Sequence, residues 1–75
     1  MKKVVLYTMN GCSACASAQQ YFDKQRIKYR LCNVKSPAGA KEFARLRMRG
    51  VPVIKVSDQL LYGFSVKKFE QLYRD

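Results

Sequence analysis

The sequence predicts a single α/β domain with the order β-α-β-α-β-β-α: a small mixed sheet with helices packed on it. Three observations carry this expectation. Short β-branched or aromatic runs alternate with segments whose apolar residues recur at helical spacing. A strand-helix-strand order requires parallel pairing through a crossover, whereas the brief connection between the last two strands requires a hairpin. Finally, 75 residues, 48% of them hydrophobic, suffice for one core but not for two. Residues 1–75 are therefore read as one domain.

The elements follow in order. Lys3-Val4-Val5-Leu6-Tyr7 is a β-branched and aromatic run closed by the turn-forming Asn10-Gly11, so it reads as a buried strand. From Ser13 onward Cys15, Ala18 and Phe22, with Tyr21 beside them, recur at helical spacing and predict a helix from about Cys12 to Gln25. Ile27 to Val34 reads as a second strand, with Tyr29 and Leu31 on one face and Arg30, Cys32 and Val34 on the other. Ser36-Pro37 supplies an N-cap and a first-turn proline for a second helix. Ala40, Phe43, Ala44 and Leu46 form its apolar stripe and Gly50 its expected C-terminal cap. Gly39 costs that helix about 1 kcal/mol relative to alanine. Val51–Val56 is the third strand, with Pro52 at its start, where a missing N–H is tolerable. Ser57-Asp58-Gln59 turns the chain into a return strand, Leu60–Tyr62. Ser65 is the expected N-cap of the last helix, with Phe64 stapling onto Phe69.

Composition removes several kinds of chemistry. The chain has no histidine, which excludes Ser-His and Cys-His nucleophile pairs and any histidine acid or base. With three cysteines, no histidine and five acids it is poorly equipped for structural zinc, and no metal ligand is expected. No apolar run approaches the roughly 20 residues of a membrane span. The stretch before Thr8 is too short for a signal-peptide core, so a cytoplasmic, reducing location is expected, where a structural disulfide framework is unusual. The cysteines need another explanation.

Cys12-Ser13-Ala14-Cys15 supplies it, because the motif stands where the first strand hands over to the first helix. A helix N-terminus presents unpaired N–H groups and about half a positive charge, which favour thiolate over thiol. Cys12 gains most from this position and is expected to have a depressed pKa. Cys15, one turn in, faces the core yet can reach Cys12 through a two-residue spacer. This is the layout of a dithiol catalyst, with Cys12 as nucleophile and Cys15 as the resolving thiol. Cys32, which shares a strand face with Val34, reads as a core residue. Tyr21, Phe22, Phe43, Phe69 and Tyr73 fall on helix stripes and read as packing, while Tyr7 and Phe64 flank the motif regions and are candidates to line the site.

Tyr7-Thr8, Cys12-Ser13-Ala14-Cys15, Gly50-Val51-Pro52-Val53 and Gly63-Phe64, in that order and spacing, resemble a small glutaredoxin or the related NrdH redoxins of the thioredoxin superfamily. The resemblance implies a thioredoxin-like fold, a cis Val51-Pro52 peptide beside the redox pair, and substrate main chain pairing with Val51. It implies a substrate-binding set of Tyr7, Met9, Ser13, Ala14, Val51, Pro52, Gly63 and Phe64 around the catalytic Cys12 and Cys15. It also implies a protein-disulfide reductase without a bound cofactor, re-reduced by glutathione or by thioredoxin reductase. The chain departs from the glutaredoxin pattern at three places. Met9 stands where a Lys or Arg usually meets a glutathione carboxylate, although NrdH redoxins also tend to be basic there. Gly50 stands where Thr usually precedes Val-Pro, and Tyr62-Gly63-Phe64-Ser65-Val66 lacks the acid that follows the usual Gly-Gly turn. Gly-Phe at that turn is closer to the NrdH pattern.

The formal charge of +10 is unevenly spread: Lys24 to Arg49 hold nine cations against Glu42 alone. Lys41, Arg45 and Arg49 are spaced to share a helix face. Such a field favours an acidic protein partner, and nucleic acid ranks well below it because no recognised nucleic-acid module is present. A monomer is expected. The reading from a different class is a binding module that kept the fold and uses its basic face on an acidic protein or nucleic acid.

Overall fold

The computed structural model describes residues 2–74. Seven elements follow one another: β1 (Val4–Thr8), α1 (Ser13–Lys24), β2 (Arg30–Asn33), α2 (Pro37–Ala44), β3 (Val53–Val56), β4 (Gln59–Tyr62) and α3 (Val66–Arg74). The sheet order is β2-β1-β3-β4, with β1 parallel to β2 and antiparallel to β3, and β3 antiparallel to β4. The expected order, crossover and hairpin are all present, and this is the thioredoxin-like arrangement.

Alternation along β1 divides the molecule into two sides. Val4 and Leu6 face α1 and α3, where Ala18, Phe22, Ile54, Val56 and Phe69 complete the larger core. An aromatic group dominates that side: Phe22 meets Phe69 at 4.9 Å and Tyr29 at 5.0 Å, and Phe64 packs against Tyr21 and Phe22. Tyr7 faces the other way and joins Cys32 and Val53 in a smaller core under α2, capped by Phe43, Leu46 and Met48.

Four boundaries differ from expectation. β2 covers only Arg30–Asn33, because α1 ends in a motif that reaches further along the chain. Arg26 takes a left-handed φ of 58°, its N–H bonds the Asp23 carbonyl, and the Ile27 N–H reaches back to Phe22 at 2.8 Å. This is the paired-bond helix ending in which the residue after the left-handed one packs on the helix's last turn. Ile27 is spent there rather than in the sheet. α2 stops at Ala44, not near Gly50. The N–H groups of Arg45, Leu46 and Arg47 bond carbonyls three residues back, and Arg47, at φ 56°, turns the chain away. Arg49 therefore lies off the helix, and the expected face of Lys41, Arg45 and Arg49 does not form. β3 begins at Val53, leaving Val51 and Pro52 outside the ladder. The β3–β4 turn is also tighter than expected, with Gln59 already pairing with Val56.

Tyr7 anchors α2 chemically as well as by packing. Its buried hydroxyl donates to Glu42 Oε2 at 2.7 Å, and Arg30 donates to the same oxygen at 2.5 Å. Burial first, then this bond to Glu42, hold the Tyr7 phenol well above the usual tyrosine range. Tyr21 is pushed up to about 12 by burial and its hydrogen bond to Glu70. A phenol whose pKa is raised by folding contributes stability that is complete below its unfolded value of about 10 and is lost as pH rises beyond it. Thermal melts should therefore show a Tm that begins to fall above about pH 10, with Tyr7→Phe removing part of the decline. An equally steep fall in Tyr7→Phe would show that the Tyr7–Glu42 bond is not its source.

Candidate active site

The tight turn after β1 sets the position of the cysteines. Gly11, at φ 79°, supplies the left-handed step that brings Cys12 to the N-cap of α1. Cys12 has extended backbone dihedrals, and its Sγ accepts a hydrogen bond from the Cys15 N–H at 3.2 Å. Its carbonyl accepts from the Ala16 N–H at 3.1 Å. Cys12 thus does at a helix start what a Ser or Asp ordinarily does, with sulfur as the acceptor. No acidic residue lies in the first turn of α1 to oppose negative charge on that sulfur.

Cys12 and Cys15 are joined as a disulfide, their Cα atoms 5.2 Å apart. Cys12 is half-buried, whereas Cys15 is 1% exposed and locked in the core. The asymmetry matters chemically. A partner can reach Cys12, while Cys15 can be reached only through Cys12.

A cleft of about 470 Å³ opens at the pair, walled by Met9, Asn10 and Ser13, by Gln19 further along α1, and by Leu31 and Asn33 of β2. A second hollow of about 350 Å³ lies beside it, lined by Phe43, Arg49, Gly50 and Val51, and Met9 lines both. Met9 is therefore the partition between the redox pair and the Val51 segment. The Val51-Pro52 peptide is cis, and the Pro52 carbonyl accepts from the Gly63 N–H at 2.8 Å. That bond ties the turn after β4 to the buried Pro52, with Gly63 at φ 79° making the turn. Val51 has no backbone hydrogen-bond partner among the described residues. Ala14 is exposed one residue further along α1.

A family model described as glutaredoxin matches residues 4–61. The chain belongs to the glutaredoxin family. Solved structures agree with the fold. The thioredoxin-like protein BC3987, as a point mutant, is 21% identical with a TM-score of 0.88, over 99% of this chain and 97% of that one. Glutaredoxin 1 from Francisella tularensis, complexed with cacodylate, is 26% identical with a TM-score of 0.72, over 95% and 93%. The glutaredoxin-like NrdH-redoxin from Escherichia coli is 24% identical with a TM-score of 0.78, over 93% of each chain. Among curated proteins, none matches the sequence.

Within this glutaredoxin-family site the structure brings Met9, Cys12, Ser13, Cys15 and Val51 together and leaves two expected residues elsewhere. Tyr7 is 1% exposed, and its ring packs 5.9 Å from Phe43 beneath α2, not at the cysteines. β-strand alternation explains this: Tyr7 and the chain running on to Cys12 leave the sheet on different sides. Phe64 is committed to the aromatic core with Tyr21 and Phe22. Leu31, half exposed on edge strand β2, is a cleft residue that spacing did not single out. Its only sequence signal was an apolar residue without a buried partner on an edge strand. A β-carbon at Gly50 would stand 3.2 Å from the hydroxyl of the exposed Tyr62, so the tyrosine lies close to the position where the family usually has threonine.

Cys32 is 6% exposed in the smaller core. Burial pushes its thiol up from the ordinary value, Glu42 adds to the effect and Arg30 opposes it. Among the described residues no three Cys, Asp or Glu side chains gather as a metal site, and no helix is long and apolar enough to cross a membrane.

Proposed function

We propose that the protein reduces disulfides in other proteins by dithiol exchange. The observation that carries this reading is Cys12 at the N-cap of α1, its sulfur bonded by the Cys15 N–H and open to solvent, with Cys15 buried behind it. In the reduced protein that N–H and the helix N-terminus favour the Cys12 thiolate. The thiolate attacks one sulfur of the substrate disulfide, forming a Cys12–substrate bond and releasing the other sulfur as a thiolate, which takes a proton. Cys15 then gives up its proton and attacks Cys12 Sγ, so the second substrate thiol leaves and the Cys12–Cys15 disulfide forms. Two electrons pass from the pair to the substrate. Met9, Ser13, Ala14, Val51, Pro52 and Gly63 hold the substrate segment, with Val51 offering its free main chain as a strand partner. No bound cofactor takes part, and the protein works as a monomer in the cytoplasm.

Glutathione or thioredoxin reductase restores the dithiol. The Gly63-Phe64 turn with no acid after it favours the enzyme over the tripeptide, while Met9 departs from both patterns. The Escherichia coli relative is described as an NrdH-redoxin with a thioredoxin-like activity profile. A coupled assay following NADPH oxidation, with thioredoxin reductase in one arm and glutathione plus glutathione reductase in the other, tests the reading. Turnover of a protein disulfide is expected in the first arm and much less in the second. Turnover in neither arm, nor with dithiothreitol as donor, would overturn it.

A further inference from the structure

α2 is only eight residues long and roofs one end of its side of the sheet, leaving the other end open. The register shows what lies there. Tyr7 pairs with Cys32 and with Val53, and this row is covered by the α2 segment. The next row on the same face is Arg30, Val5 and Lys55, since Val5 pairs with both. Two hollows of about 430 and 440 Å³ flank this row. Lys41, Arg45 and Lys55 line the first, and Lys3, Lys28 and Arg30 the second. They meet where Arg30 binds Glu42.

Among the described residues Glu42 is the only acid lining either hollow, and Arg30 already neutralises it. Lys3, Lys28, Lys41 and Arg45 have no acidic partner among the described residues. The basic character read along residues 24–49 is therefore gathered at one place by the sheet, with Lys3 and Lys55 added from other segments. The floor between the cations is apolar: Val5 in one hollow, Ala38 and Leu46 in the other.

We infer that this surface is a docking groove for an acidic polypeptide segment whose carboxylates alternate with apolar side chains. The period of two in an extended peptide sets carboxylates against the cations and apolar residues on the floor. Nucleic acid fits less well. Single strands need exposed rings for base stacking, and the two tyrosines here, Tyr7 and Tyr29, are engaged with Phe43 and Phe22. The inference rests on charge and shape alone and stands apart from the thiol chemistry.

The test uses the oxidised protein and a fluorescent, cysteine-free peptide of alternating Glu and Val, read by anisotropy. Lys41→Gln/Arg45→Gln/Lys55→Gln should weaken binding about tenfold, and added salt should weaken it further. Lys24→Gln/Lys67→Gln/Lys68→Gln removes the same charge from α1 and α3, and should change binding less than about twofold. Melting curves confirm that both variants are folded. Equal weakening in both would reduce the effect to net charge and overturn the inference. So would absence of saturable binding, or tighter binding of a single-stranded oligonucleotide with the same number of charges.

Discussion

Replacing Cys12 with serine is expected to lower disulfide reduction by on the order of 10³-fold or more, into the uncatalysed background. Serine can still cap α1 through its oxygen, so the fold should survive and the loss should be purely chemical. Cys15→Ser should behave differently. The first attack needs only the Cys12 thiolate, and the 3.2 Å bond to its sulfur comes from the backbone of residue 15, which serine keeps. What serine lacks is the second attack, so a Cys12–substrate mixed disulfide should accumulate. Mass spectrometry of Cys15→Ser after incubation with a disulfide protein should find the adduct on Cys12 and none on Cys32, whose thiol is buried and shifted towards its neutral form. Full turnover by Cys12→Ser, or an adduct at Cys32, would remove the proposed division of labour.

The second large effect is on stability. From helix propensity alone, Gly39→Ala should stabilise α2 by about 1 kcal/mol. The structure reverses the sign. A β-carbon on Gly39 would lie 1.8 Å from the Asn33 carbonyl oxygen and 2.7 Å from Ser36 Oγ. Those atoms cannot simply yield. Ser36 Oγ donates to the Asn33 carbonyl at 2.8 Å and accepts from the Gly39 N–H at 3.1 Å, so the N-cap is built on the space the methyl would fill. Asn33 is also the last residue of β2. Either α2 moves off the sheet or the cap and strand end give way, at a net cost of about 2–3 kcal/mol. For a domain this small that is a fall in Tm of roughly 10–20 °C. Differential scanning calorimetry would decide, and a higher Tm would mean that α2 can shift freely.

Gly39 shows where reading a sequence stops. In the chain it is a weak point in a helix, because its neighbours in sequence say nothing of the carbonyl that passes beneath it. Cys12 is the opposite case. Strand, turn, cysteine and helix are consecutive, so the N-cap geometry and the contrast between an open Cys12 and a buried Cys15 follow from local rules. The helix ends were less legible. Arg26 and Arg47 adopt left-handed backbone where glycine is usual, so the breaks after Lys24 and Ala44 carry no compositional mark.

Element order, the mixed sheet and the redox pair were legible in the amino-acid pattern, because each depends on neighbours a few residues apart or on connection length. What each face of the folded sheet packs against was not. Tyr7 stands next to the motif's approach yet turns under α2, and Leu31 enters the cleft from a strand some twenty positions away. Lys3 and Lys55 join a basic surface that residues 24–49 only partly define. These placements depend on pairing register, which brings together residues that no local period connects.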